Sequence, residues 1–246
     1  MSDDYAPFAP ELGGVFVRDQ YCQEYFDGKQ ARGVLTLSNR ALADFILKAC
    51  EARDSLLEIG CAKGAFLRVL EPQFRRSVGL DISGYAIAEA RRRLESAEVY
   101  QCNAETDDLN ELLGTARFDT IVSLHTFEHF EQPETVLRSC FDLLKRDGTF
   151  FLVVPNPNVL WARIYRLVGL QHTCAVFADP THRSLLTRRG WERLLSEVGF
   201  AWTLYGRPIW VVKNRLLHGL YPAYYTRRCA ESGFELLFVC NKPTVG

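Results

Sequence analysis

Four clusters in this 246-residue chain carry residue types whose spacing could support chemistry. The first is Glu58-Ile59-Gly60-Cys61-Ala62-Lys63-Gly64, which follows a short apolar run. Glycines there let the backbone turn tightly and approach a bound group with no Cβ in the way. A helix opening at Gly64 would offer its amides to an anionic group such as a carboxylate. The second is Asp81, 21 residues after Gly60, an acid suited to accepting hydrogen bonds from both hydroxyls of a ribose. The third is Asn103, in Cys102-Asn103-Ala104-Glu105, whose side-chain amide can address the amino group and ring nitrogens of an adenine. The fourth is His125-Thr126-Phe127-Glu128-His129, two imidazoles and a carboxylate. Such groups take up protons near neutral pH, and positions i, i+3 and i+4 share one face of a helical turn.

These groups act only where the fold aims them. Ser38 caps a helix over NRALADFILKACEA, whose apolar residues recur at helical spacing. SLLEIG reads as a buried strand, and GAFLRVLE opens a helix. RSVGLDI is a second strand, after which Ser83 caps GYAIAEARRRL; EVYQC is a third. FDTIVSL is a fourth strand, followed by the helix PETVLRSCFDLLK, the turn RDG and a fifth strand, TFFLVV, ending at Pro155. Beyond it, VLWARIYRLVGL has amphipathic helical spacing, Thr187 caps RRGWERLLSEVG, and FAWTLYG and FELLFVC are two final strands. Apolar strands alternating with helices predict an α/β fold, a parallel sheet covered on both faces. The expected organisation is an N-terminal cap segment at 1–37 and one domain at 38–246. Inserts at about 156–186 and 207–233 are expected to form the acceptor side, since long connections in compact domains are commonly functional covers.

Composition narrows the function classes. The formal net charge of −1 argues against wholesale DNA binding. Charge is uneven, however: residues 159–229 hold eleven Lys/Arg against three Asp/Glu, while residues 1–158 hold seventeen against twenty-five. The basic part suits an anionic acceptor, a peripheral membrane contact or, as a disfavoured partner, RNA. None of the eight cysteines forms a CxxC pair, so buried free thiols in a reducing cytoplasm are expected. The N-terminus lacks the basic and apolar regions of a signal peptide, and no run is apolar enough to span a bilayer.

Taken in order, LLEIGCAKGAFL, GLDIS, CNAE, FDTIVSLHTFEHF, LLKRDGTFFLVVPNPN and THRSLLTRRGWERLLSEVGF resemble the class I S-adenosylmethionine-dependent methyltransferases. Within that family the chain is most similar to the branch of ubiquinone-biosynthesis O-methyltransferases and small-molecule methyltransferases. The resemblance covers about residues 38–205 and the last strand. It implies a Rossmann-like, doubly wound, seven-stranded, mostly parallel sheet with an antiparallel last strand. It also implies S-adenosyl-L-methionine as cofactor, with S-adenosyl-L-homocysteine as product. Glu58, Gly60, Cys61, Ala62 and Gly64 would surround the methionine half, Asp81 and Ile82 the ribose and adenine, Asn103 and Ala104 the adenine edge, and Leu124 the loop beside the sulfonium. The family usually has Gly where Ala62 stands and often Asp where Asn103 stands. A nicotinamide dinucleotide is disfavoured, because Ala62 and Ala65 occupy two of the three glycine places of GxGxxG.

Methyl transfer from a sulfonium needs alignment, exclusion of water and, for a hydroxyl acceptor, a general base. His129 is the first candidate, then His125, with Glu128 beside them. Related enzymes bind a divalent ion here through Glu-x-x-Glu-His clusters. His125 stands at the place of the first Glu, so a hard ion is disfavoured. A metal is therefore not expected; the residues that could hold one are His125, Glu128, His129 and His182. The acceptor side mixes aromatics with cations, which suits a small anionic or glycosyl molecule: a sugar, a glycolipid precursor or an aromatic natural product. Two other readings remain open: an RNA-modifying methyltransferase with a His/Glu metal cluster, and a non-catalytic cofactor-binding regulatory subunit. The oligomeric state is not legible in the sequence.

Overall fold

The computed structural model describes residues 21, 23–28, 37–158, 164, 167–168, 179–206, 225–227, 233 and 235–243. The expected helix at 159–170 falls almost entirely outside them, as do Trp161, Tyr165, Trp210, Tyr221, Tyr224, Arg163, Arg166, Lys213 and Arg215 of the expected acceptor side.

Seven strands form one sheet: β1 (Ser55–Ile59), β2 (Arg76–Asp81), β3 (Glu98–Gln101), β4 (Phe118–Leu124), β5 (Leu144–Pro155), β6 (Ala201–Gly206) and β7 (Glu235–Asn241). Their order is β3-β2-β1-β4-β5-β7-β6, and β7 runs antiparallel to both of its neighbours while the other pairings are parallel. This is the mostly parallel, doubly wound sheet that the motif order implies. All five residues of β1 are buried, as a strand covered on both faces must be. The two faces alternate with period two along each strand: Leu57, Ile121 and Phe150 enter one core, Leu56, Val122 and Phe151 the other.

Helices complete both layers. α1 (Gln23–Gly28) and α2 (Leu37–Ala49) precede the sheet. α2, α3 (Leu67–Leu70) and α4 (Gly84–Arg93) bury Ile46, Leu67 and Ile87 on one face. α5 (Leu109–Leu113), α6 (Pro133–Leu143) and α7 (Arg188–Val198) bury Leu113, Val136 and Trp191 on the other. Two of the three expected caps form, Ser83 Oγ accepting from Ala86 N–H and Thr187 Oγ1 from Gly190 N–H, while Ser38 lies inside α2, which begins at Leu37. Cys50, Cys61, Cys102, Cys140 and Cys240 are buried free thiols.

Two local expectations need correction. Gly64 does not open a helix; it has φ +74° in a turn, and α3 begins at Leu67 and lasts four residues. Pro72, just beyond, leaves room only for a 3₁₀ turn before β2. RDG likewise is no turn ahead of β5. It lies within the strand as an irregularity, between the pairings Phe118–Leu144 and Thr120–Thr149. Among the described residues no helix is long and apolar enough to cross a membrane.

Candidate active site

β1 lies between β2 and β4, so the chain leaves it first toward one edge and later toward the other. Open α/β sheets bind ligands at such a reversal, beyond the carboxyl ends of the strands. The loops after β1, β2, β3 and β4 meet there.

In the β1 loop, Gly60, Ala62 and Gly64 all have positive φ, +78°, +47° and +74°. That geometry would suit the Gly that the family resemblance implies at position 62, since an L-residue in the left-handed region costs roughly 1–2 kcal/mol. Asp81 offsets this cost. Its Oδ2 accepts the Ala62 N–H at 2.8 Å, while Oδ1 accepts the Ser83 N–H at 2.9 Å. The carboxylate thus ties the β1 and β2 loops together and keeps further lone pairs for a ribose diol. Cys61 contributes backbone only, because its buried side chain packs against Gly79, where an added Cβ would lie 2.9 Å from Sγ. Asn103 Oδ1 accepts the Glu105 N–H at 3.1 Å, which leaves Nδ2 as the group for an adenine acceptor nitrogen. Ala104 is buried beneath it, and Ile82 and Leu124 are half-buried at their strand ends.

Glu58 lies behind the loop, 2% exposed, and its Oε2 has no hydrogen-bond partner. Burial, reinforced by the nearby Asp81 charge, pushes its pKa up to about 8. Between the usual 4.5 and 8 the folded chain keeps a proton that the unfolded chain releases, so stability from this group is present at low pH and lost as pH rises through that window. Glu58→Gln is therefore expected to exceed wild type by on the order of 2 kcal/mol in urea melts of ligand-free protein near pH 8. The gap should close toward pH 5. A ligand ammonium is the kind of group that would satisfy the ionised form.

After β4 the chain turns sharply at His125, a non-glycine residue with φ +50°, and makes a single 3₁₀ turn over Phe127–His129. His125 lies near two carboxylates: Nδ1 is 3.5 Å from Glu128 Oε1 and Nε2 is 3.2 Å from Glu235 Oε1. Protein crowds one edge of the ring while 45% of the side chain still meets solvent. Desolvation would lower its pKa, but the hydrogen bonds to Glu128 and Glu235 outweigh it and raise the value to about 10. His125 is thus a charged partner of carboxylates at neutral pH, not a proton acceptor. Glu235 is held in turn by Tyr225, whose hydroxyl donates to Oε2 at 2.9 Å.

His129 differs. Burial lowers its pKa, so the ring is neutral near pH 7. Its Nδ1 lies 3.1 Å from the Thr181 carbonyl and 3.0 Å from Thr181 Oγ1. Thr181 comes from the segment 179–184, which the Glu128 carbonyl pins by accepting the Arg183 and Ser184 N–H groups at 2.8 and 3.0 Å. This brings His182 against His129, ring centroids 4.9 Å apart. Tyr21 closes the other side, its ring edge-on to His129 at 6.0 Å and its carbonyl accepting from Ser83 Oγ at 2.7 Å. Lys63 of the β1 loop lies over the Phe26 and Tyr85 rings, linking α1 to the same wall.

Glu128, His129 and His182 each bring a ligand-type atom to within 4.8 Å of the others. Glu128 is 2% exposed with Oε2 unpartnered, and its pKa is lowered because the three neighbouring histidines outweigh desolvation. One carboxylate and two imidazoles would suit a borderline transition ion better than a hard one. His125, tied to Glu128 and Glu235, stands outside that set. Beyond the Asp179-Pro180 turn signal, nothing in the sequence marks Asp179, Thr181 or Glu235 as members of this wall, whereas His182 stands out by its type.

Comparison with known proteins agrees with this fold. A sequence profile described as a methyltransferase domain matches residues 32–204. The ubiquinone biosynthesis O-methyltransferase of Coxiella burnetii is 28% identical over 158 residues, covering 58% of this chain and 65% of the relative. That of Glaesserella parasuis is 28% identical over 134 residues, covering 52% of this chain and 56% of the relative. The matches thus span less than two thirds of those relatives. Among solved structures, a Haloferax volcanii putative methyltransferase, in complex with the Trm112 methyltransferase activator, superposes with a TM-score of 0.63 at 17% identity, over 94% of this chain and 99% of that one. Magnesium protoporphyrin IX methyltransferase from Synechocystis PCC 6803 gives 0.62 at 14%, over 92% and 98%. At such identities the structural likeness speaks for the fold, while the profile spans most of the sequence. The chain belongs to the methyltransferase-domain family, that of the class I S-adenosylmethionine-dependent enzymes.

Proposed function

We propose that the protein transfers the methyl group of S-adenosyl-L-methionine to an oxygen or nitrogen of a small molecule, with His129 as general base. The observation that carries this reading is a neutral, half-buried imidazole one short turn from the glycine loop, held through Nδ1 by Thr181. Thr126, three residues before His129, packs directly on Gly60, so the base and the donor loop share one wall. The O-methyltransferase names of the relatives favour oxygen as the acceptor atom.

When bound, the sulfonium supplies an electrophilic methyl carbon and a good leaving group. Asp81 and Asn103 would hold the nucleoside end, and Glu58 would give the methionine ammonium a buried counter-charge. Tyr21 and the 179–184 segment exclude water around His129. His129 Nε2 would receive the proton of an acceptor hydroxyl whose oxygen takes the methyl group. A sugar, glycolipid precursor or aromatic natural product with an anionic group fits the basic, aromatic stretch at 159–229.

Titration calorimetry with S-adenosyl-L-homocysteine tests the donor site. Micromolar binding is expected for wild type, and a loss of about tenfold or more for Asp81→Ala, which removes hydrogen bonds to a charged group. Absence of binding at millimolar ligand would overturn the assignment. Transfer by this route asks nothing of a metal, so prolonged chelation is expected to leave turnover of labelled methyl groups unchanged. A chelator-sensitive rate would assign Glu128, His129 and His182 to an ion instead.

A further inference from the structure

The segment Asp179-Pro180-Thr181-His182 meets His129 with more than a carbonyl. Thr181 Oγ1 is 2.6 Å from Asp179 Oδ1 and 3.0 Å from His129 Nδ1. Asp179 Oδ1 also accepts the Thr181 N–H at 3.0 Å, a local turn that fixes the hydroxyl's direction. A threonine hydroxyl has one proton, and an ionised carboxylate can only accept. The proton of Thr181 therefore goes to Asp179, and Oγ1 faces His129 with lone pairs alone. The Thr181 carbonyl, 3.1 Å from the same nitrogen, also only accepts. Both partners of Nδ1 are acceptors, so Nδ1 carries the hydrogen of the neutral ring and Nε2, on the opposite edge, is bare. Tyr21 adds to the same node by hydrogen-bonding Thr181, and burial pushes its own pKa up, so its hydroxyl keeps its proton there.

The geometry points to Asp179 and Thr181 as a positioning pair that locks His129 in the Nδ1–H tautomer and so fixes Nε2 as the atom offered to the acceptor. The lock stands on hydrogen-bond direction alone; its catalytic consequence rests on the reading of His129 as base. Without Asp179, the Thr181 hydroxyl is free to turn its proton onto Nδ1, which would move the ring to the Nε2–H form. Among the described residues, the other charged or titratable groups facing this ring are Glu128, His182 and Tyr21, while the hydrogen bonds to Nδ1 come from Thr181.

The test is a long-range ¹H–¹⁵N spectrum of the full chain labelled on histidine, recorded at about pH 8, above the histidine range. The His129 signals are identified by their loss in His129→Gln. Wild type is expected to show the Nδ1–H pattern, retained in Asp179→Asn and Thr181→Ser, which keep the acceptor and the hydroxyl. Asp179→Ala is expected to populate the Nε2–H form. Asp179→Ala combined with Thr181→Val, which has no proton to turn, is expected to restore Nδ1–H. A merely structural role would give no such restoration. An Nε2–H signal in wild type overturns the lock whether or not any variant folds, and so does an unchanged tautomer in Asp179→Ala. In the same variants, kcat is expected to fall about tenfold in Asp179→Ala with KM for the methyl donor unchanged. A tautomer shift with kcat intact would leave the lock standing and remove His129 as base.

Discussion

His129→Gln is expected to lower kcat by about two to four orders of magnitude, the usual contribution of a positioned base. Gln keeps the volume and can still donate toward Thr181, but it has no nitrogen that accepts a proton near neutral pH. Affinity for S-adenosyl-L-homocysteine should stay within about twofold, because the nucleoside and methionine holders lie on other loops. Single-turnover transfer to an acceptor identified in a metabolite extract measures the first quantity, and calorimetry the second. The pH profile sharpens the attribution. Burial lowers the His129 pKa below 6.5, so wild-type turnover should hold at neutral pH and fall only as pH drops through that lowered value. His129→Gln should lose this acid limb. A variant with kcat within about threefold of wild type would assign proton removal to another group, or to none. His125 is a poor replacement, since Glu128 and Glu235 keep it protonated up to about pH 10. His125→Gln should therefore change turnover far less.

Gly60→Ala is expected to abolish cofactor binding and to destabilise the fold by several kcal/mol. Two effects add at this position. Its φ of +78° is a backbone conformation that an L-residue adopts only at a cost of about 1–2 kcal/mol. An added Cβ would also run into the Thr126 side chain and lie 2.8 Å from its Cβ. Thr126 cannot retreat freely, because its Oγ1 donates to the Leu124 carbonyl at 3.1 Å and the turn carrying Glu128 and His129 begins there. Relief therefore has to come from displacing the donor loop or the catalytic turn. Thermal melts and calorimetry on the single variant and on Gly60→Ala with Thr126→Gly separate the two effects. The second change should recover the part due to the clash and leave the part due to φ. Wild-type affinity in the single variant would show that the two loops are less closely coupled than their packing requires.

The donor half of the site was legible because strand–loop–helix order writes itself locally. Apolar runs ending in Gly60, Asp81, Asn103 and Leu124 are short-range patterns, and a parallel sheet brings their carboxyl ends into one row. The errors there were also local. A glycine with positive φ looks the same in sequence as one that starts a helix, so Gly64 was read as a helix opening and proved to be a turn. RDG has turn chemistry, yet pairing with β4 draws it into β5.

The catalytic half was legible in type but not in role. HTFEH announces proton chemistry, yet spacing treats His125 and His129 as near equals on one face. Their roles are decided by groups 50 to 110 residues away: Thr181 and Asp179 beside His129, and Glu235 beside His125. No periodicity encodes those meetings. They depend on β7 running antiparallel beside β5, which delivers Glu235 to the end of the sheet where His125 turns, and on the Glu128 carbonyl pinning the segment after Asp179. The sequence by itself determined the fold, the family and the order of the loops at the carboxyl ends of the strands, because each is a local pattern repeated in order. Only the tertiary structure decided which histidine is charged and which is neutral, because a pKa and a tautomer are set by whichever distant carboxylate, carbonyl or hydroxyl folding brings within about 3 Å of the ring.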